Sequence, residues 1–210
     1  MAELEYYGIN ISTSEWVYGP GEDSLLAAKL LMRYLDSTGM RGIRVLDMGT
    51  GTGLLGLVAA RSGKVREVVF SDINSRAIEL AKRNYSANRK IVRAKCHFVL
   101  SDLFSNLNGK FDIMVFNAPY LRSESGKKGE AWWDGGNEGI EVSLEFMRGS
   151  VALLNGRGSV FLVYSSLGNS KKLLDAIEEL GFAAEESEST HLFFEDINAV
   201  RFEMRRPPGL

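Results

Sequence analysis

The sequence predicts an α/β fold in which a mostly parallel seven-stranded sheet carries helices on both faces. From residue 44 onward, short apolar and β-branched segments alternate with segments of helical periodicity, which is the pattern of a doubly wound sheet. Three glycines follow the first strand and lead into the first core helix, as in α/β domains that bind nucleotides. The C-terminal apolar segments are not separated by helices, so they predict an antiparallel edge.

The predicted elements divide the chain into an N-terminal extension, residues 1–40, and an α/β core, residues 41–210. The extension holds one helix, which Asp23 or Ser24 can cap and which ends near Asp36. At this length the whole chain is expected to form a single domain. In the core we predict strands at 44–47, 67–72, 96–100, 111–116 and 158–164, helices at 54–61, 75–88, 139–154 and 170–180, and tail strands at 184–188, 191–195 and 198–205.

Composition excludes several classes of protein. With 45% hydrophobic and 25% charged residues, the chain matches an ordinary globular protein. Its longest apolar runs fall far short of the roughly 20 residues that cross a bilayer, and the first seven residues are acidic, unlike a signal peptide. Cys96 has no disulfide partner, and two histidines give little basis for a metal site. We therefore expect a cytoplasmic protein without a metal site.

The charge pattern leaves one question open. A net charge of −2 gives no general reason to expect a nucleic-acid partner. However, residues 82–95 contain six basic residues and no acid. Such a run is commonly a solvated helix face, and the alternative is a docking surface for RNA or a ribonucleoprotein.

The turn after the first strand indicates the cofactor. Gly49, Gly51 and Gly53 permit a tight turn and let a ligand approach the backbone closely. Asp47, just before the turn, would repel a pyrophosphate but attract the positively charged methionine end of S-adenosylmethionine. The glycine spacing also differs from the Gly-x-Gly-x-x-Gly of dinucleotide sites. The turn therefore favours S-adenosylmethionine over NAD.

Two further carboxylates follow the next two strands. Asp72 ends the second strand, where a carboxylate can accept hydrogen bonds from both hydroxyls of a ribose. Asp102 follows the third strand, where it could accept the adenine amino group, or else cap a turn. Ligands of open α/β sheets bind at these strand ends, so the carboxylates are expected to share one pocket.

The fourth strand ends in the candidate catalytic motif Asn117-Ala118-Pro119-Tyr120. An amide or exocyclic amino nitrogen is a poor nucleophile because its lone pair is delocalised. The Asn117 side-chain oxygen and the Ala118 carbonyl could hold its two N–H groups and stabilise the positive charge that grows there. Tyr120 could stack on the planar group. The motif therefore predicts methylation of an amide or amino nitrogen without a strong base.

This motif is similar to the Asn-Pro-Pro-Tyr motif of the HemK family of protein-(glutamine-N5) methyltransferases, which DNA adenine and some RNA guanine methyltransferases share. Residues 18–24, Tyr-Gly-Pro-Gly-Glu-Asp-Ser, resemble the Tyr-x-Pro-x-Glu-Asp-Thr segment of the short archaeal and eukaryotic members. Residues 131–139 resemble their Ala-Trp-x-Gly-Gly-x-x-Gly segment. The resemblance covers most of the chain and implies a Rossmann-like, class I S-adenosylmethionine-dependent methyltransferase fold.

The resemblance also implies a substrate, a partner and a pocket. The substrate would be the glutamine of a Gly-Gly-Gln loop in a class 1 translation release factor, and the product of the cofactor would be S-adenosylhomocysteine. Related enzymes work with a small zinc-binding activator subunit, and eukaryotic members also act on a histone lysine. The cofactor pocket would be lined by Tyr18, Ser24, Asp47, Gly49, Thr50, Gly51, Asp72, Ile73, Asp102, Leu103 and Asn117.

The chain departs from the family pattern in three ways. Ala118 replaces the first Pro of the motif, which keeps the backbone carbonyl, and Asp134 adds a residue before the paired glycines. The N-terminal helical domain of bacterial members has no counterpart in residues 1–40. Substrate docking is therefore expected to depend on a partner or on the loop at 121–133, which is interpreted as a lid or an ordinary flexible loop.

Three functions remain open from the sequence. The favoured one is a protein-glutamine methyltransferase. The second is an RNA or DNA amino-group methyltransferase, acting on adenine N6 or guanine N2, or a protein lysine methyltransferase. The third is a cofactor-binding subunit without activity, which the presence of Asp47, Asp72 and Asn117 argues against.

For the strand order 3-2-1-4-5, the strand at 96–100 lies at a sheet edge, where a partner could add a strand.

Overall fold

The computed structural model describes residues 3–121, 135–192 and 194–205. Their helices and strands alternate through most of the chain. In chain order, the elements are β1 (Glu3–Tyr6), β2 (Ile9–Ser12), α1 (Glu22–Ser37), β3 (Ile43–Met48), α2 (Leu54–Arg61), β4 (Val65–Asp72), α3 (Ser75–Ala87), β5 (Lys95–Leu100), β6 (Phe111–Asn117), α4 (Glu141–Leu153), β7 (Leu154–Ser165), α5 (Ser170–Glu179), β8 (Phe182–Leu192) and β9 (Glu195–Met204).

The main sheet has seven strands in the order β5-β4-β3-β6-β7-β9-β8. The five strands from β5 to β7 are parallel, whereas β9 runs antiparallel to both β7 and β8. This arrangement confirms the predicted fold class and its antiparallel C-terminal edge. It also places β5 at the opposite edge, as the predicted strand order requires.

Hydrophobic side chains on the two faces of the sheet form two separate core clusters. In β3, Val45 belongs to the cluster beneath α1 and α2, whereas Leu46 and Met48 belong to the cluster beneath α4 and α5. Successive strand residues point to opposite faces, so one short strand supplies both clusters. Both faces are therefore covered, and the carboxyl ends of the parallel strands remain available for a site. Within the described part of the chain, no helix is long and apolar enough to cross a membrane.

Helix α1 begins earlier than the sequence suggested. Its N-cap is Gly21, and no side chain caps it, so the expected cap at Asp23 or Ser24 is wrong. Asp23 and Ser24 instead lie in the first turn and are buried. A carboxylate there is favoured by the helix dipole, and its burial directs it toward the end of β6 rather than toward solvent.

The first two strands form a hairpin that the sequence analysis did not predict. Tyr7 and Gly8 both have positive φ values, 54° and 72°, which is the geometry of a tight two-residue turn. Ile9 and Ile11 are fully buried beneath it. Apolar and polar residues alternate on both sides of Tyr7-Gly8, and this pattern would have indicated the hairpin.

A pair of asparagine side chains anchors this hairpin to α3. Asn88 accepts from the Asn10 N–H at 2.9 Å and donates to the Asn10 carbonyl at 2.7 Å. Asn84 makes the same two bonds with the backbone of Ser12, at 2.9 and 3.0 Å. Asn84 also donates to the carbonyl of Thr52 at 2.8 Å. The N-terminal hairpin is thus bonded to the glycine turn through one buried side chain.

The tail forms two long strands rather than the three that were predicted. Residues 189–190, Ser-Thr, were interpreted as a turn between two strands, but they continue β8. Every second side chain of this edge strand faces solvent, so a polar sequence is compatible with it. A register shift between Ala184 and Glu186 explains why the alternation was hard to read.

Candidate active site

A cavity of about 790 Å³ opens at the carboxyl ends of β3, β4 and β6. All the residues predicted to bind the cofactor lie along its wall, and two residues of the catalytic motif, Asn117 and Pro119, join them. The shared set is Tyr18, Ser24, Asp47, Gly49, Thr50, Gly51, Asp72, Ile73, Asp102, Leu103 and Asn117. The wall also includes residues that the sequence analysis did not single out, among them Asn74, Ala77, Val142 and Glu145.

The glycine turn needs its glycines for conformation and for space. Gly49, Gly51 and Gly53 have φ values of 58°, 54° and 85°, which residues with a side chain rarely adopt. A Cβ on Gly49 would approach a ring carbon of Phe116 to 2.8 Å. The turn is held against β4 by the Thr50 N–H, which donates to the carbonyl of Ser71 at 2.9 Å. Backbone is therefore presented directly to the cavity.

Asp47 supports the turn from below. Its Oδ2 accepts from the Thr50 hydroxyl at 2.5 Å and from the Gly56 N–H at 2.9 Å. Burial, which leaves the side chain almost without solvent contact, raises the pKa of Asp47 to about 7, although both hydrogen bonds act to lower it. The nearby Asp72 carboxylate also raises that pKa. A cation bound in the cavity would favour the ionised form.

Asp72 stands where its strand ends, held by backbone hydrogen bonds from Gly51, Ile73 and Asn74. Its Oδ2 accepts from the Gly51 N–H at 2.9 Å and its Oδ1 from the Asn74 N–H at 2.8 Å. Burial raises the pKa of Asp72, and the backbone hydrogen bonds oppose that rise. A carboxylate has about four acceptor sites, so Asp72 keeps capacity for a further donor. Beside it Ile73 is 57% exposed, an apolar surface on the cavity wall.

Asp102 occupies the outer part of the same wall. Its side chain is exposed, and its carbonyl accepts from the Ser105 N–H at 3.0 Å. Leu103 beside it has an unusual positive φ of 40°. The Ser101 hydroxyl donates to the Leu103 carbonyl at 2.8 Å and fixes this conformation. The loop therefore holds Asp102 and Leu103 at the cavity in one defined arrangement.

The amide of Asn117 is oriented by its partners. Its Nδ2 donates to Asp23 Oδ2 at 3.0 Å and to Ser24 Oγ at 3.1 Å. An ionised carboxylate only accepts hydrogen bonds, so Asp23 requires the nitrogen on its side. Among the described residues, the buried Oδ1 of Asn117 has no hydrogen-bond partner. Leaving a buried acceptor unpaired costs about 1–3 kcal/mol, so this oxygen is poised for a donor from a bound molecule.

Asp23 is the site residue that sequence reasoning missed. It is 3% exposed, and its Oδ2 accepts from the hydroxyls of Tyr18 and Tyr120, both at 3.2 Å, as well as from Asn117. Its Oδ1 accepts from the Ser24 N–H at 2.6 Å. Partial burial and the charge of Asp23 raise the pKa of Tyr18 to about 12, and the same causes raise the pKa of Tyr120. Both phenols therefore stay protonated and donate to Asp23.

The other two motif residues lie behind the cavity wall. Ala118 is buried in the core cluster beneath α4 and α5, and Tyr120 packs against the cluster on the other face. The Tyr120 hydroxyl is occupied by Asp23. Neither residue belongs to the described wall of the cavity. The stacking role expected for Tyr120 thus has no geometric support here, and its hydroxyl instead helps to hold Asp23.

The paired glycines of the 131–139 segment pack against the catalytic motif. Gly135 donates its N–H to the Leu121 carbonyl at 2.8 Å, and a Cβ on it would come within 2.7 Å of the Pro119 carbonyl oxygen. Residues 122–134, which hold most of the predicted lid and the first part of the segment, lie outside the described residues. A side chain at Gly135 would therefore not fit beside Pro119, whereas a Cβ on Gly136 would instead meet the side chain of Glu141.

Comparisons with known proteins identify the family of the chain. A family model described as a methyltransferase small domain matches residues 17–190. A relative from Methanocaldococcus jannaschii, whose name proposes a protein N5-glutamine methyltransferase, is 33% identical over 201 residues, 94% of this chain and 96% of its own length. The mouse protein named methyltransferase HEMK2 is 28% identical over 89% of each chain.

One solved structure adds a complex. The Mtq2-Trm112 complex of E. cuniculi, described as responsible for methylation of the eRF1 translation termination factor, matches with a TM-score of 0.67 and 26% identity. The match covers 90% of this chain and 99% of that one. Together with the relatives, it confirms the resemblance inferred from the motifs.

Proposed function

The chain belongs to the methyltransferase small domain family, and on that premise we propose that it transfers a methyl group from S-adenosylmethionine to the side-chain amide of a glutamine in a translation release factor. The observation that carries the proposal is the unpaired Oδ1 of Asn117. It lies at the cavity that the cofactor-binding residues share. A substrate in the translation machinery would place the enzyme in the cytoplasm.

The cavity wall fits S-adenosylmethionine. Asp72 would accept the ribose hydroxyls with its free lone pairs, and Asp102 would accept the adenine amino group. Ile73 offers an apolar surface for the adenine ring. Asp47 and the backbone of the glycine turn would hold the methionine end, whose positive charge offsets the cost of an ionised buried carboxylate. Bound there, the cofactor supplies an electrophilic methyl group on a positively charged sulfur.

The residues of the chain would prepare the acceptor nitrogen. Asn117 Oδ1 accepts one amide N–H. The backbone carbonyl of Ala118, whose side chain packs into the core, would have to face the cavity to accept the second. These bonds fix the nitrogen in one orientation and stabilise the positive charge that develops on it. Asp23 occupies the nitrogen of Asn117 and so leaves its oxygen available as an acceptor. The extra proton can leave to water after transfer, so no strong base is needed.

A glutamine acceptor has two sources of support. The relative with 33% identity spans nearly the whole chain and carries a glutamine methyltransferase name. The E. cuniculi complex is described as acting on a termination factor and is covered almost completely. The motif alone is compatible with an adenine, guanine or lysine acceptor, so the substrate must be tested directly.

We also propose that a small zinc-binding activator subunit pairs with β5. Within the ranges that the structure describes, this strand is hydrogen-bonded to β4 alone, and its Leu100 is 51% exposed. An edge strand with apolar side chains invites strand addition by another chain. The neighbour of known structure was solved as a two-protein complex. If the isolated chain is fully active, and such a subunit adds nothing, this part of the proposal fails.

The test of the acceptor uses labelled S-adenosylmethionine. A release factor, tRNA, rRNA and DNA are offered in parallel, each with and without the activator subunit. Transfer is expected to the release factor alone, and to disappear when the glutamine of its Gly-Gly-Gln loop is replaced by asparagine or glutamate. Transfer that persists on those variants, or that occurs only on nucleic acid, would refute the glutamine assignment and leave methyl transfer itself intact.

A further inference from the structure

A second cavity, of about 660 Å³, opens at the opposite end of the sheet. Three loops build it, and each leads into the amino end of a parallel strand. Arg41 precedes β3, Arg61 and Lys64 precede β4, and Lys90 and Arg93 precede β5. Because parallel strands start at the same edge, these cations meet around one opening, here called the basic cleft.

The basic cleft has an excess of positive charge. Its five cationic residues face one acidic residue, Asp36, along the wall. Lys64 Nζ donates to the carbonyls of Asp36 and Thr38 at 2.8 and 2.6 Å, and Arg61 donates to the carbonyl of Tyr7. These bonds hold the two cations in place without neutralising them.

The other three cations of the cleft are exposed: Arg41, Lys90 and Arg93. Within the described ranges, none of them forms an ion pair. Elsewhere the chain does pair its cations, for example Lys29 with Glu188 and Lys171 with Asp175. An uncompensated cluster in a chain of net charge −2 indicates attraction for an anion at this place.

The charge continues beyond the cleft. Lys90 and Arg93 belong to the acid-free stretch at 82–95, whose Arg89 and Lys95 are also exposed. Two or three converging cations are enough to bind a small anion. A series of exposed cations that extends past the cleft matches a polymer with regularly repeated negative charges. Phosphodiesters supply one such charge per nucleotide.

We propose that the basic cleft binds the phosphate backbone of a nucleic-acid strand, separately from the cofactor cavity. The two openings lie at opposite ends of the strands, and a strand of six residues such as β3 spans about 20 Å. A strand bound in the cleft therefore leaves the cofactor cavity open. Contacts of this kind position the protein on nucleic acid without reading its sequence.

The test measures binding of fluorescent 15-nucleotide strands by anisotropy. Single-stranded RNA, duplex RNA and single-stranded DNA of the same sequence are titrated between 50 and 200 mM KCl. Five phosphate contacts predict a slope of about −3.5 for log K against log salt on a single strand. The double variant Arg41→Gln/Arg93→Gln should reduce the slope by about 1.4 and, at 0.1 M salt, weaken binding about 25-fold.

The matched control removes the same charge elsewhere. Lys29→Gln/Lys171→Gln changes two cations outside the cleft and should leave both slope and affinity unchanged. Affinity for S-adenosylmethionine, measured on every variant, should stay constant and verifies folding. Preference for any one of the three strands supports the proposal and identifies the source of the phosphates. Equal effects of the two double variants, absence of a salt-dependent slope, or equal binding to a glutamate polymer would overturn it.

Discussion

The raised pKa of Asp47 predicts that cofactor affinity falls in mild acid. Its carboxyl titrates near 7 in the folded chain, above its usual value of 3.8, so it is protonated below pH 7. If the positive methionine end binds the carboxylate, that proton must leave first. At pH 5.5 only about 3% of the carboxyl is ionised, which weakens binding about 30-fold relative to pH 8, or about 2 kcal/mol. Asp72, whose pKa is also raised, acts in the same direction.

Calorimetry of S-adenosylmethionine binding between pH 5.5 and 8 measures this effect. Asp47→Asn removes the titrating group but keeps an oxygen that can accept from the Gly56 N–H. Its affinity should be lower at pH 8 and should fall less steeply than that of the wild type toward pH 5.5, because only Asp72 still titrates. Ionisation of Asp47 also opposes folding, so stability of the ligand-free wild type should rise relative to Asp47→Asn as pH falls from 8 toward 5.5. Equal pH profiles for the two proteins would refute the assigned role of Asp47.

Four further predictions concern the site and its support. Asn117→Ala should lower turnover about 10²-fold or more, with a much smaller change in cofactor affinity by calorimetry. Asn117→Asp should be nearly as harmful in the same assay, because a second carboxylate would stand about 3 Å from Asp23, where an amide donates at 3.0 Å. Asp72→Ala should weaken S-adenosylmethionine binding by about 1–3 kcal/mol, and unchanged affinity in a folded variant would exclude the ribose contact. Asn84→Ala should cost about 1–3 kcal/mol of unfolding free energy in denaturant titrations, since it leaves buried backbone groups unpaired; a loss below a few tenths would contradict the anchoring described.

Local signals explain which parts of the fold were predictable. Helix α2 was predicted at its observed bounds because Gly53 and Gly63 flank an apolar run. Asp47, Asp72 and Asn117 could be placed together because parallel strands end at one edge of a sheet. Strand β8 was predicted as two pieces because the solvent-facing positions of an edge strand accept the same polar residues as turns. The predictions were correct where a local sequence pattern is compatible with a single type of structure, and they failed where it is compatible with two.

Asp23 could not be recognised in the same way. Its bond to Asn117 joins residues 94 positions apart, and a carboxylate two residues after a Pro-Gly turn is equally suited to capping a helix. Only the fold shows that this carboxylate accepts from four side chains at once, those of Tyr18, Ser24, Asn117 and Tyr120. Long-range polar contacts leave no periodic trace in a sequence, whereas burial of apolar faces does.

The asparagine anchors of the hairpin also set an order for events during synthesis. The backbone groups at Asn10 and Ser12 reach their partners, Asn88 at the C-cap of α3 and Asn84 within it, only across 78 and 72 residues. At about 5–20 residues per second, a ribosome needs on the order of 4–15 s to make that interval. During that time the binding partners of the first two strands do not yet exist. An isolated two-stranded hairpin is only marginally stable in water. The N-terminal hairpin is therefore one of the last parts of the described fold to dock. The glycine turn, which Asn84 also contacts through Thr52, gains its full set of hydrogen bonds only after that.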